Sequence, residues 1–394
     1  MDPRLNPYTP NAGARPPLLV GRDDQLESFD VLLARLERGF TAQSLMITGL
    51  RGVGKTVLLN EFRVKAEARE WVAVEAEITK RTDFGTRMAQ LARRALLHVA
   101  PKARWKELAR RAAGVVKSFT LTVSSDGALT AGLDIDPIPG LADSGQLSDD
   151  LSDLFVALGE SARDQGTGVV FLFDEVQFLS APELEALIAA LHRTVQRALP
   201  ITLVGAGLPQ LPRLAGEAKS YAERLFKFPA IGSLPADDAR SALVEPARRA
   251  GVDFTDRAAE EIVAYTQGYP YFIQEYGKIA WDEAESSPIK KNAILAVRPL
   301  VEAKLDGSFF MVRVERTTPY ELRYLQAMAA LGPGPQKAGD VARVLDRTAE
   351  QVGPTRSRLI DKGLLYTPGY GLAAFTVPQF DRYLIRSQRP AGPR

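Results

Sequence analysis

Apolar positions along the chain follow two recurring patterns. Residues 44–48, 71–78, 168–173 and 201–204 are short runs of aliphatic, often β-branched side chains, and they predict strands. Between them, apolar residues recur every three or four positions, as over residues 24–38 and 55–69, and predict helices. Near-continuous apolar strands separated by helices predict a parallel sheet covered on both faces. One stretch differs. Residues 117–123 and 128–135 alternate around Ser125-Asp126-Gly127, and predict a β-hairpin inserted at about 100–146 on the rim of the sheet.

After Pro235 the strand pattern stops. Helices are expected over residues 237–251, 256–266 and 270–285, with Thr255 as a cap, Gly268 as a terminator and Pro270 in the first turn of the last. An amphipathic connector, residues 294–305, leads to a compact C-terminal unit. The expected organisation is a disordered N-terminus (1–17), an α/β core (18–234), a helical lid and connector (235–314), a C-terminal unit (315–386) and a flexible tail (387–394).

Composition narrows the chemistry. Of 394 residues, 45% are hydrophobic and 25% charged, which is ordinary globular usage. The net charge of +2 provides no global field for nucleic acid, so any basic surface is local. No cysteine is present, which excludes disulfides, thiolate metal sites and cysteine nucleophiles. With no signal peptide or membrane-spanning run in the sequence, a cytoplasmic protein without membrane partners is expected. His98 and His192, the two histidines, are isolated and are read as structural.

Gly49-Leu50-Arg51-Gly52-Val53-Gly54-Lys55-Thr56, with Val57 after it, fits the phosphate-loop pattern G-x-x-x-x-G-K-[ST]. The glycines free backbone N–H groups to wrap phosphates, and Lys55 supplies a mobile positive charge. The Thr56 hydroxyl suits magnesium, and the helix that starts here favours a bound anion. A predicted strand before the motif and a helix after it are what the mechanism requires. The buried strand at 169–173 ends in Asp174-Glu175, at the edge where open α/β sheets place ligands. Asp174 suits magnesium, and Glu175 suits polarising an attacking water. ATP with Mg2+ is the expected ligand.

These residues resemble the AAA+ and STAND branches of P-loop ATPases, particularly the bacterial and archaeal ATPases related to origin-recognition initiators. Val20-Gly21-Arg22 resembles that family's adenine-side box, and residues 203–211 resemble its sensor 1 region. Residues 221–226 resemble the segment holding an arginine finger, which assigns Arg224 that role in a homo-oligomer; a surface salt bridge is the plainer reading. Gly268-Tyr269-Pro270 resembles the lid element that contacts nucleotide, and brings Pro270 into the site. The resemblance implies a P-loop NTPase of three-layer α/β type with an all-α lid, and ATPase activity. Two departures imply slow turnover. Gly205–Ala206 lacks the usual sensor 1 polar group, for which Thr202 is the substitute on the same strand, and the lid lacks a sensor 2 arginine.

The C-terminal order of helix, helix–turn–helix and β-hairpin predicts a winged helix, and residues 358–365 resemble the end of its recognition helix, expected mainly at 355–362 with a kink at Gly353-Pro354. From Glu315 onward there are 12 Lys/Arg and 7 Asp/Glu, and Arg356, Arg358 and Lys362 are the expected contacts to double-stranded DNA. The functional expectation is a Mg-dependent ATPase whose nucleotide state controls a DNA-binding winged helix. A STAND-type switch acting on a protein partner and a scaffold with negligible hydrolysis are the alternatives.

Overall fold

A computed structural model describes residues 1–100, 106–124, 127–130, 133 and 135–387. Its core sheet contains β1 (Ser44–Thr48), β2 (Val72–Glu77), β3 (Val169–Asp174), β4 (Ile201–Gly207) and β5 (Phe226–Lys227). All neighbours are parallel, in the order β2-β3-β4-β1-β5. The strand that feeds the glycine loop, β1, therefore stands beside β4, with the carboxylate-bearing β3 one place further. Every residue of β1 and β4 is buried, which is why these strands read as apolar runs without alternation.

Helices α1 (Asp23–Glu37) and α2 (Lys55–Ala68) pack on one face. On the other lie α3 (Phe84–Val99), α4 (Glu107–Val123), α5 (Leu147–Asp164), α6 (Ala181–Gln196) and the short α7 (Leu211–Ala218) and α8 (Ala222–Leu225). Phe155 stacks on Phe171 there, with centroids 4.7 Å apart.

The expected hairpin insertion is not a hairpin. Residues 107–123 form α4, and residues 127–130 make a 3-10 turn; Ser125-Asp126 lies outside the described residues. The alternation at 117–123 overlies a helical period, because Ala109, Ala112, Ala113, Val116 and Phe119 all face the core. Thr120 and Thr122 donate their hydroxyls back to the Val116 and Ser118 carbonyls, so β-branched residues sit in a helix without unpaired groups. Tertiary burial outweighs strand propensity here.

The N-terminal segment also departs from expectation. Tyr8 is 3% exposed and donates its hydroxyl to the Leu243 carbonyl, while the Asn6 amide donates to Asp282 at 2.7 Å. Residues 1–17 form a strap across the helical lid. The 388–394 part of the expected flexible tail lies outside the described residues.

The lid consists of α9 (Ala236–Arg249), α10 (Asp256–Thr266) and α11 (Pro270–Glu283). Next, α12 (Lys291–Leu305) runs through a π-helical turn, Asp306–Phe310, into α13 (Met311–Val314). The C-terminal unit follows in the order α14 (Pro319–Ala330), β6 (Gln336–Lys337), α15 (Ala338–Val344), α16 (Ala349–Asp361), β7 (Leu365–Tyr366), β8 (Leu372–Phe375) and α17 (Phe380–Ser387). Its small antiparallel sheet has the order β6-β8-β7. This is the element order expected of a winged helix, with β6 as an unforeseen third strand. Helix α16 covers the stretch expected for recognition; it begins at Ala349, capped by Thr348 and Gln351, and carries Pro354 inside it.

Candidate functional site

The loop from β1 to α2 is shaped by backbone constraints. A side chain on Gly49 would meet the Ile231 carbonyl at 2.4 Å. Gly52 and Gly54 have φ of +83° and +94°, values L residues rarely adopt. A side chain on Gly52 would also press on the ring of Tyr269 and the Cβ of Tyr271, so the lid rests on the loop itself. Val53 is buried beneath it, and Leu50 is partly buried against the same core.

Lys55 opens α2 and is only 6% exposed. Its Nζ donates to the Gly49 and Leu50 carbonyls at 3.0 and 2.9 Å. Burial lowers its pKa, opposed by Glu175 and Asp174, with Arg51 adding to the lowering. A buried ammonium held only by neutral carbonyls is a site for an incoming anion.

Asp174 ends β3, and its Oδ2 accepts the Thr56 hydroxyl at 2.5 Å. Burial raises the Asp174 pKa most; the Thr56 hydrogen bond opposes this, and neighbouring Glu175 adds to the rise. Glu175 takes left-handed φ/ψ of 56° and 38°, which turns its carboxylate away from the strand direction. Two groups hold it: the Arg51 guanidinium at 4.0 Å and the Gln177 side-chain amide. Gln177 in turn accepts the Leu208 N–H at 3.1 Å through Oε1, tying the end of β4 to Glu175. Nothing in the sequence pattern singled out Gln177.

These groups face a cavity of about 620 Å3 that also reaches Val20, Val57 and Pro270. Gly21 turns the chain with φ +65°, and Arg22 is buried, donating to the Val53 and Gly232 carbonyls at 3.0 and 2.9 Å. Arg22 thus fixes the loop from below. Gly268 packs so closely on the Leu234 carbonyl that a side chain would meet it at 2.2 Å. Residues 9–14 of the strap form one wall, and Ser308, Phe309 and Arg313 of the connector form another. Both walls lie outside the motifs legible in the sequence.

Residues 18–204 match the family described as AAA ATPase domain, and residues 307–384 match a domain of unknown function, DUF8462. That stretch of the chain is an AAA ATPase domain. No curated protein matches the sequence. Among solved structures, the ORC2 protein of Aeropyrum pernix in its ADPNP-ADP complexes has a TM-score of 0.55 at 16% identity, covering 96% of each chain. Its ADP form gives 0.53 at 17%, covering 98% of each. A Walker-type ATPase of Pyrococcus abyssi gives 0.53 at 15%, covering 94% of this chain and 97% of that one. At such identities the likeness is one of fold.

Several expected residues lie elsewhere. Arg224 is exposed on α8 and does not line the cavity. Thr202 is buried near the start of β4, paired with the Ser44 hydroxyl at 2.9 Å, and so cannot replace the missing polar group at the carboxyl end. The three C-terminal cations turn toward their own unit. Arg356 donates to the Leu372 carbonyl at 2.6 Å and to Thr367. Lys362 reaches Glu321 at 2.6 Å, and Arg358 lies 3.5 Å from the same buried carboxylate. Only Arg358 keeps a mostly exposed side chain, at 56%. Glu321 serves at once as helix cap and counter-ion, which draws these cations inward. No helix among the described residues is long and apolar enough to cross a membrane.

Proposed function

We propose that the chain binds ATP with magnesium and hydrolyses it slowly, and that the bound nucleotide sets the position of the C-terminal unit. The observation that carries the reading is the meeting of buried Lys55 and the Thr56–Asp174 pair in one cavity under a glycine loop. Loop N–H groups and Lys55 would bind the β- and γ-phosphates. Thr56 and Asp174 offer two hard oxygens side by side, the donor set that magnesium takes when phosphates and water complete its shell. Magnesium would neutralise phosphate charge there. Glu175 accepts a proton from water, and the Arg51 and Gln177 contacts hold it ready. Adenine would lie near Val20 and Gly21, between strap and lid.

Coupling to the C-terminal unit is supported by Arg51, a residue of the glycine loop itself. Its N–H donates to the Thr376 carbonyl at 3.2 Å, and its guanidinium packs on Gly363. A shift of the loop on nucleotide binding therefore acts directly on the segment that follows β8. For the partner of that unit, the inward hydrogen bonds of Arg356 and Lys362 favour a protein over duplex DNA. Arg224 acts only from a second copy of the chain.

Steady-state phosphate release tests the reading. Wild type should turn over ATP only with magnesium present, and Lys55→Ala should abolish binding. Glu175→Gln should retain binding and lose roughly a hundredfold or more in kcat. Equal turnover by Glu175→Gln and wild type would remove the general base. Stimulation by duplex DNA would reinstate it as a partner.

A further inference from the structure

The cavity contains a cation that the ATPase motifs do not account for. Arg313 lies on α13, beyond the ATPase-domain match and inside the C-terminal one. It lines the same cavity as Arg51, Lys55 and Asp174. Among the described residues it makes no salt bridge to a carboxylate, and the charged side chains that act on it, Arg51 and Arg316, are both of its own sign. Burial, then Arg51, lower its pKa to about 10, so it stays charged at neutral pH. Among the described residues its one side-chain hydrogen bond is from Nη1 to the Phe309 carbonyl, and its buried Nε has no partner.

A short stack sets its position. Tyr271 packs against Gly52, Phe309 stacks on Tyr271 with centroids 4.6 Å apart, and the Arg313 guanidinium lies 4.0 Å over Phe309. Two stacked rings thus link Arg313 to the phosphate loop. Two like-charged guanidiniums beside a cavity, one with an unused buried donor, are a costly arrangement until an anion joins them.

We propose that Arg313 binds the terminal phosphate of the nucleoside triphosphate, acting with Arg51 as a reader of three phosphates against two. The inference rests on the nucleotide reading of the site and adds its third-phosphate contact. Because Arg313 joins the lid to the C-terminal unit, the contact reports triphosphate to that unit.

Calorimetric titration of the full chain with Mg-ADP and with a Mg-bound, non-hydrolysable ATP analogue tests this. Arg313→Ala should weaken the analogue roughly ten- to hundredfold, as loss of a charged hydrogen bond does, and leave ADP binding at the wild-type level. Arg313→Lys should recover part of the loss. Equal weakening of both ligands, or no change in either, overturns the proposal, since a purely structural arginine would not discriminate between them. If Lys55→Ala binds both as wild type does, the nucleotide site itself is misplaced and both readings fall together.

Discussion

At the scale of single residues, the site is a set of charges kept in tension. Asp174 is half-buried, and the loss of solvent raises its pKa most, so in the free protein its ionisation opposes folding at neutral pH. Asp174→Asn should raise the melting temperature of the nucleotide-free protein by on the order of 2 °C. The same variant should lose the further rise that Mg-ATP gives wild type; differential scanning fluorimetry reads both. Gln177 positions Glu175 without touching phosphate. Since Leu208 N–H occupies its Oε1, only its amide group can face the carboxylate. Gln177→Ala should lower kcat by roughly tenfold with KM little changed, in steady-state kinetics. The motif residues were legible because phosphate chemistry allows few side chains and fixes their spacing. Gln177 and Arg313 were not, since each owes its place to contacts between elements far apart in the sequence.

At the scale of elements, burial decides where propensity is ambiguous. The strands were readable from their composition, because a strand enclosed on both faces has no polar positions to blur it. Helix α4 was misread as strand because Ser118, Thr120 and Thr122 alternate with apolar residues; only the helices around it reveal the underlying period. Gly114 records how close that packing is, since a side chain would meet Ile138 at 2.7 Å and the Asp136 carbonyl at 3.1 Å. Gly114→Val should cost about 1–3 kcal/mol in urea unfolding. The N-terminal strap was misread for a related reason. Its Pro- and Gly-rich sequence has no periodicity, yet Tyr8 inserts between lid helices, where a side chain on Gly277 would strike its ring at 2.6 Å. Tyr8→Ala should cost about 3–5 kcal/mol by the same measurement and weaken nucleotide binding, because the strap also walls the cavity.

At the scale of the whole molecule, the family boundaries and the folding boundaries differ. One hydrophobic cluster runs from Phe29 and Phe62 beneath the phosphate loop, through Phe272 of the lid, to Phe310, Phe380 and Leu384 of the C-terminal unit. Scanning calorimetry of the full chain should therefore show the lid and C-terminal unit melting in one transition with the ATPase domain. Two well-separated peaks would mean that the shared cluster is too weak to couple them. Surface contacts add little to this: Lys80 and Asp361 bridge the parts at 3.1 Å, but both are mostly exposed. The Gln379 amide, donating to the Tyr265 carbonyl at 2.9 Å, is the more enclosed tie.

The π-helical turn at Asp306–Phe310 sets the phase of everything after it. An α-helix advances about 100° per residue, so one residue more or less in this turn rotates α13 by that angle about its axis. The wide turn thus works as a fixed rotational offset, bringing Phe309 onto Tyr271 and Arg313 into the cavity from a helix that would otherwise aim both elsewhere. Removing Gly307 would let the turn close into ordinary α-helix and leave helical content nearly intact. It would also dial the arginine out of the site, with the C-terminal unit turned by the same angle.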